Sequence, residues 1–204
     1  MRSLDDLEKK AQELKAKGLT THEISDELKV QADTVVWLLL RGKERLGRPA
    51  PFDVFVDWSQ IGASVRRTSL LGGALADLAK EAVSTGEFEE PQAIAAVEGS
   101  GVVLGVTIAE EFDKPLAVVR PYRVGDRKIP GAINPSFASV EDKKVLVVDS
   151  VVMQGETIRA AVETIRAAKG EPVGAVALIS KSAKDEIDGL PFKALVRLLS
   201  VSKG

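Results

Sequence analysis

Apolar and polar positions follow two different rhythms along this chain. Over the first forty residues, apolar side chains recur three and four apart: Leu4, Leu7, Ala11 and Leu14, then Ile24 and Leu28, then Val35, Leu38 and Leu39. That spacing lines one face of a helix, so three short helices are predicted. Gly18 stops the first, Thr21 caps the second, and a turn around Val30 leads to a third that begins near Ala32. Gly42 stands as the natural residue after its end. The stretch RGKERLGRPAP (41–51) interrupts the periodicity with glycines, prolines and charges. It divides the chain into an all-α domain (1–42), a linker (43–50) and a larger domain (51–204).

Beyond the joint the rhythm changes. FDVFVDW (52–58) alternates as a strand does, and TSLLGGALADLAKEAV (68–83) reads as a helix with one apolar face. QAIAAVEG (92–99) and PLAVVR (115–120) flank a helical stretch near VVLGVTIAEEF (102–112). KKVLVVDS (143–150), the helix GETIRAAVETIRAAKG (155–170), PVGAVALIS (172–180) and KALVRLLSV (193–201) complete the alternation. Strands that are continuous runs of Val, Ala and Leu are buried on both faces. The expected fold is therefore α/β: a doubly wound domain with a central parallel sheet, behind an N-terminal helical domain. Ligands of such sheets bind beyond the carboxyl ends of the strands.

Three segments fall at such ends. Glu98-Gly99-Ser100-Gly101 is a glycine-rich turn entering a helix, where backbone can approach an anion closely. The long stretch 120–144 has prolines, glycines and little periodicity, as lids and mobile binding loops do; it carries Arg120, Arg123, Arg127 and Lys128. VLVVDSVVMQGET (145–157) runs from an apolar strand to Asp149 and Ser150, then through Met153, Gln154, Gly155, Glu156 and Thr157 into a helix. Its backbone N–H groups can form an anion nest, Asp149 can accept from sugar hydroxyls, and Gly155 permits the tight curve.

Composition narrows the chemistry. Of 204 residues none is cysteine and one, His22, is histidine, which excludes thiolate metal sites, cysteine nucleophiles and histidine-rich centres. A net charge of −2 gives no bulk argument for nucleic acid. The charged start MRSLDDLEKK has no apolar signal core, and no run reaches the roughly 18 apolar residues that cross a bilayer. A cytoplasmic protein without a membrane partner is expected.

The stretch LTTHEISDELKVQADTVVWLLL resembles the helix-turn-helix of bacterial and archaeal regulators, with Glu23-Ile24, Leu28, Val30 and Thr34-Val35 at that pattern's spacing. It departs at Ser25, where alanine is usual, and at Gln31, where serine is usual. A DNA-binding face would draw on Thr21, Lys29, Gln31, Ala32, Thr34, Arg41 and Lys43, with Gln and Thr suited to base edges and the cations to phosphates. Three amphipathic helices can equally form a docking or dimerisation unit.

The order of EGSG, VVR, long basic loop and VLVVDSVVMQGET resembles the type I phosphoribosyltransferases, especially their orotate branch, over roughly residues 50–204. The resemblance implies that 145–157 binds the ribose and 5-phosphate of phosphoribosyl pyrophosphate. Glu98 to Gly101 would be the pyrophosphate loop, and Arg120 to Lys128 would begin the flexible catalytic loop. A helix-turn-helix ahead of such a domain resembles archaeal transcriptional regulators of the GfcR type, in which this domain is thought to sense a ligand. That resemblance implies a homodimer, with DNA and a phosphorylated effector as partners.

The transferase motif has two adjacent acids and a hydroxyl-rich turn, where this chain has Asp149-Ser150 and Met153-Gln154-Gly155. Ser150 supplies no second charge for an oxocarbenium-like state, a loss on the order of 10²–10³ in rate by analogy with single-donor deletions. Glu156 would repel a phosphate unless it turned outward or paired with Arg159. Two readings stay open. One is a DNA-binding regulator that senses phosphoribosyl pyrophosphate, a nucleotide or a sugar phosphate. The other is a working phosphoribosyltransferase in which Asp149 would be catalytic, favouring the oxocarbenium-like state. No firm cofactor and no protein-held metal are expected, though Mg²⁺ would accompany phosphoribosyl pyrophosphate.

Overall fold

The Ser3 hydroxyl accepts a hydrogen bond from the Asp6 N–H and so starts α1 (Leu4–Ala16), with Leu7, Ala11 and Leu14 on its buried face. The computed structural model describes residues 3–40, 53–121 and 131–199, and its contacts divide the chain into two compact units between Gln60 and Ile61. In the first unit, α2 (Thr21–Leu28) is capped by Thr20, one residue before the expected Thr21. The reason is Glu23: its carboxylate accepts from the Thr20 N–H at 2.8 Å while Thr20 Oγ1 accepts from the Glu23 N–H at 3.3 Å. That reciprocal box needs the acid three residues after the cap. α2 ends at Lys29 in the left-handed conformation (φ 53°), and α3 (Ala32–Leu39) follows.

Leu7, Ala11, Leu14, Ile24, Leu28, Val30, Val35 and Leu38 form one buried cluster, as the helical spacing predicts. The buried Ser25 closes the turn between α2 and α3 by donating to the Val30 carbonyl at 2.6 Å. FDVFVDW forms no strand: residues 53–58 have no regular secondary structure. Phe55 instead packs on the helical cluster, so it serves the first unit and no sheet. Gly42, expected after α3, lies outside the described residues.

After the single turn of α4 (Ser59–Gly62), the second unit opens with α5 (Val65–Ser84). The parallel core then comprises β1 (Ala93–Val97), β2 (Leu116–Arg120), β4 (Lys144–Val152), β5 (Glu171–Ser180) and β7 (Leu190–Arg197). Two-residue strands, β3 (Ala132–Ile133) and β6 (Glu186–Ile187), pair antiparallel at the edges. The sheet order is β3-β2-β1-β4-β5-β7-β6. Both edge strands are too short to leave a periodic trace, and neither was expected from the sequence. β4 extends two residues beyond the expected end, because Val151 and Val152 remain paired with β5 and buried.

α6 (Ser100–Phe112) packs with α5 on one face, and α7 (Glu156–Ala167) covers the other. Close approach explains the small residues of α6. A Cβ on Gly105 would stand 2.5 Å from that of Ala96 in β1, so the helix rests on the sheet backbone. From β1 the chain turns one way to β2, and from β4 the other way to β5. The switch point therefore lies between β1 and β4, and their following loops define the crevice where ligands of such sheets bind.

Candidate functional site

The loop after β1 is set by Gly99, whose φ of 104° and ψ of −133° belong to glycine almost alone. This turn lets α6 begin at Ser100 with no side-chain cap on its first amides. A Cβ on Gly101 would sit 3.0 Å from the Val148 carbonyl, so the start of α6 lies directly on β4. The four residues expected to form one anion-binding turn are thus brought against the 145–157 strand.

In β4, alternation sends Asp149 and Ser150 to opposite faces. Both are buried, each with 1% exposure. Asp149 Oδ1 accepts from the Ser150 N–H at 2.7 Å. Ser150 Oγ lies 2.5 Å from Ser100 Oγ, joining β4 to the start of α6 across the switch point. Where the transferase pattern places a second acid, this chain makes a hydroxyl–hydroxyl bridge.

Met153, Gln154 and Gly155 carry the backbone from β4 to α7. Gly155 is left-handed (φ 94°), and a Cβ there would meet Ile187 at 3.2 Å. No side chain caps α7, and Thr157, half-buried in its first turn, does not do so either. The leading N–H groups of α7 are thus available to an anion. Glu156 is exposed, so of its two ways of sparing a phosphate it takes the outward one, and Arg159 Nε donates to Asp188 at 2.5 Å.

Beside this turn is a cleft of about 420 Å³ lined by Met153, Gln154, Glu156, Arg159, Lys181, Ser182, Ala183 and Lys184. Lys181 and Lys184 were not anticipated. The signal was present, since both lie within four residues of the carboxyl end of β5, but without the strand order a lysine after a strand is indistinguishable from a surface residue.

Arg120, at the end of β2, forms a two-point ion pair with Glu98, with Nε and Nη2 2.8 and 3.0 Å from the carboxylate oxygens. The Glu98 carboxylate pushes the guanidinium further above its ordinary pKa, first by hydrogen bonding and then by charge. Two candidates from separate loops, one acidic and one basic, therefore neutralise each other. Arg123, Arg127 and Lys128 lie outside the described residues. Among the described residues no group of three or more carboxylates and histidines could hold a metal. With Asp149 buried and Ser150 in place of an acid, the site does not fit a protein-held Mg²⁺.

In the helical unit, Thr21 and Lys29 are half-buried, and Gln31 and Ala32 stand at the start of α3. Thr34, expected to face DNA, is buried and donates through Oγ1 to Asp53 Oδ2 at 3.0 Å. The same oxygen accepts from the Gln31 N–H at 2.7 Å. Asp53 therefore occupies the start of α3. It escaped the sequence reading because it lies beyond the joint. Arg41 and Lys43 lie outside the described residues.

Comparison with known proteins agrees with this architecture. Residues 63–194 match the phosphoribosyl transferase domain family. The chain is 35% identical over 204 residues to Transcriptional regulator GfcR of Methanosarcina mazei, covering 98% of this chain and 100% of that protein. To the protein of that description from Methanobrevibacter smithii it is 36% identical over 198 residues, covering 93% and 96%. To that from Haloferax volcanii it is 33% identical over 214 residues, covering 100% of both. Among solved structures, UMP synthase of Leishmania donovani superposes with a TM-score of 0.57 at 22% identity, covering 87% of this chain and 38% of that one. Orotate phosphoribosyltransferase of Aeropyrum pernix gives 0.55 at 18%, covering 88% and 94%. At such identities these two structures establish the fold alone.

Proposed function

The chain belongs to the GfcR family of transcriptional regulators and carries a phosphoribosyl transferase domain, and on that premise we propose that its α/β domain senses a phosphorylated metabolite and its helical unit binds DNA. The observation that carries this reading is the contrast inside the 145–157 stretch. The anion-binding backbone is kept at the uncapped start of α7, while the second acid is replaced by Ser150, buried and bridged to Ser100. A binding site needs the first feature, and turnover through an oxocarbenium-like state needs the acid. The ligand would be phosphoribosyl pyrophosphate, a nucleotide or a sugar phosphate.

Two helical units in a homodimer would read half-sites about one DNA turn apart. A ligand that favoured one spacing would shift DNA affinity by a coupling of roughly 1–3 kcal/mol. The test is paired. Thermal shift against phosphorylated metabolites should show stabilisation, since any ligand of the native state raises its melting temperature. Binding to the protein's own promoter fragment at fixed salt should change when that ligand is added. Stabilisation without any DNA binding would leave the helices as a docking unit.

The retained Asp149 and the domain match favour a second reading, a working phosphoribosyltransferase. Incubation with phosphoribosyl pyrophosphate, Mg²⁺ and each common base decides it: sustained pyrophosphate release would overturn a purely regulatory role.

A further inference from the structure

Among the described residues, the cleft beside the start of α7 presents three cations, Arg159, Lys181 and Lys184, and a single carboxylate, Glu156. Arg159 is engaged by Asp188. The acid next to Lys184 is also engaged elsewhere, because Asp185 pairs with Arg197 at 2.7 Å. Lys184 has no carboxylate partner among the described residues. Lys181 and Lys184 line the cleft at the start of α7, the positive end of that helix's dipole, which favours a bound anion.

The segment bearing the lysines is built, not loose. The fully buried Ser180 hydroxyl donates to the Ser182 carbonyl and accepts from the Ser182 N–H, both at 3.0 Å. Arg197 donates to the Lys184 carbonyl at 2.7 Å. A turn fixed in this way sets its cations before a ligand arrives, which lowers the ordering cost of binding. Its volume is at the small end of ligand pockets, roughly 300–1,000 Å³. Among the described residues the lining of the cleft includes no aromatic ring on which a base could stack; the apolar contribution is Met153 and Ala183.

We propose that this cleft holds a second anionic group of the ligand whose phosphate occupies the start of α7, so that the effector is a small phosphorylated acid or bisphosphate and not a nucleotide. The inference rests on the phosphate-binding reading given above. A carboxylate and a second phosphate share the chemistry that Lys181 and Lys184 recognise, and the choice of probes separates them.

Calorimetry on the full chain with four probes tests it: glycerol 3-phosphate, 3-phosphoglycerate, fructose 1,6-bisphosphate and uridine 5′-monophosphate. At least one of the two probes with a second anion should bind about tenfold or more tightly than glycerol 3-phosphate, the size expected of a charge-assisted contact. Whichever of the two binds more tightly identifies the second anion. Lys184→Gln and Lys181→Gln should each erase most of that preference and leave glycerol 3-phosphate binding unchanged. Equal binding of all probes, tightest binding of uridine 5′-monophosphate, or equal weakening of every probe by the variants would overturn the inference. In those cases glycerol 3-phosphate still binds, so the phosphate-binding reading survives. Failure of all four probes overturns both.

Discussion

Two helix starts in this molecule face the same physical problem and solve it differently. At α7 the turn through left-handed Gly155 leaves the leading amides without a side-chain cap. At α3 the protein supplies its own anion: the Asp53 carboxylate accepts from the Gln31 N–H and from Thr34 Oγ1. Both ends carry the partial positive charge of a helix start. One is kept open beside a cation-lined cleft, and the other is filled from the segment that leads into the α/β domain. A helix start that is already satisfied is structurally secure, while an open one is stabilised only when a ligand arrives.

Closing the open start has the largest expected effect. Gly155→Val forces a β-branched residue into a left-handed conformation and against Ile187. The cost is about 2–3 kcal/mol, read as a lower melting temperature, with loss of phosphate-dependent stabilisation. Gly155→Asn, which tolerates that conformation, should recover much of the stability. Full ligand response in the valine variant would place the phosphate elsewhere.

Opening the filled start comes next. Asp53→Ala removes the acceptor of two hydrogen bonds and should cost about 1–2 kcal/mol, as loss of a helix cap does. Asp53→Asn keeps an acceptor and removes the charge. Under the proposed DNA-binding role, that variant should bind duplex DNA about threefold more tightly at low salt, a gain that shrinks as salt rises. Unchanged affinity would place Asp53 away from the DNA.

The same contrast explains what could be read from the sequence. The α/β alternation, the three helices and the 145–157 stretch were legible because each depends on local periodicity or on a contiguous run. Asp53 and Lys184 were not, because each gains its meaning from a partner distant in sequence. Thr34 shows the reverse error: a polar residue at the right spacing for base contact is turned inward by an acid nineteen positions on. The strand expected over 52–58 failed for a related reason. Alternation describes a half-buried segment, and Phe55 is half-buried against helices, not in a sheet.

The hydroxyl bridge gives a smaller effect. Ser150→Ala removes the contact with Ser100 Oγ and should cost about 1 kcal/mol, the net worth of one such hydrogen bond. Because this bridge holds the start of α6 on β4, exchange of the amides in residues 98–101 should quicken more than that of α7. Uniform change at both helix starts would mean that the bridge does not hold the start of α6 in place.

A third helix start, that of α6, lies between the two extremes and yields the smallest change in stability. Gly99 leaves its amides without a side-chain cap, yet Glu98 stands immediately before it, paired with Arg120. Both side chains are substantially exposed, with relative exposures of 39% for Glu98 and 53% for Arg120. Exposed pairs contribute little to folding, so Glu98→Gln should move the melting temperature by about a degree or less. Anion binding should respond more. The substitution removes a carboxylate that repels an incoming anion and releases Arg120 from a two-point contact. Affinity for inorganic pyrophosphate should rise about threefold at low ionic strength and converge with the parent as salt screens the charges. If calorimetry shows no such rise, Arg120 is a structural partner of Glu98, and the start of α6 belongs with the filled start of α3 and not with the open start of α7.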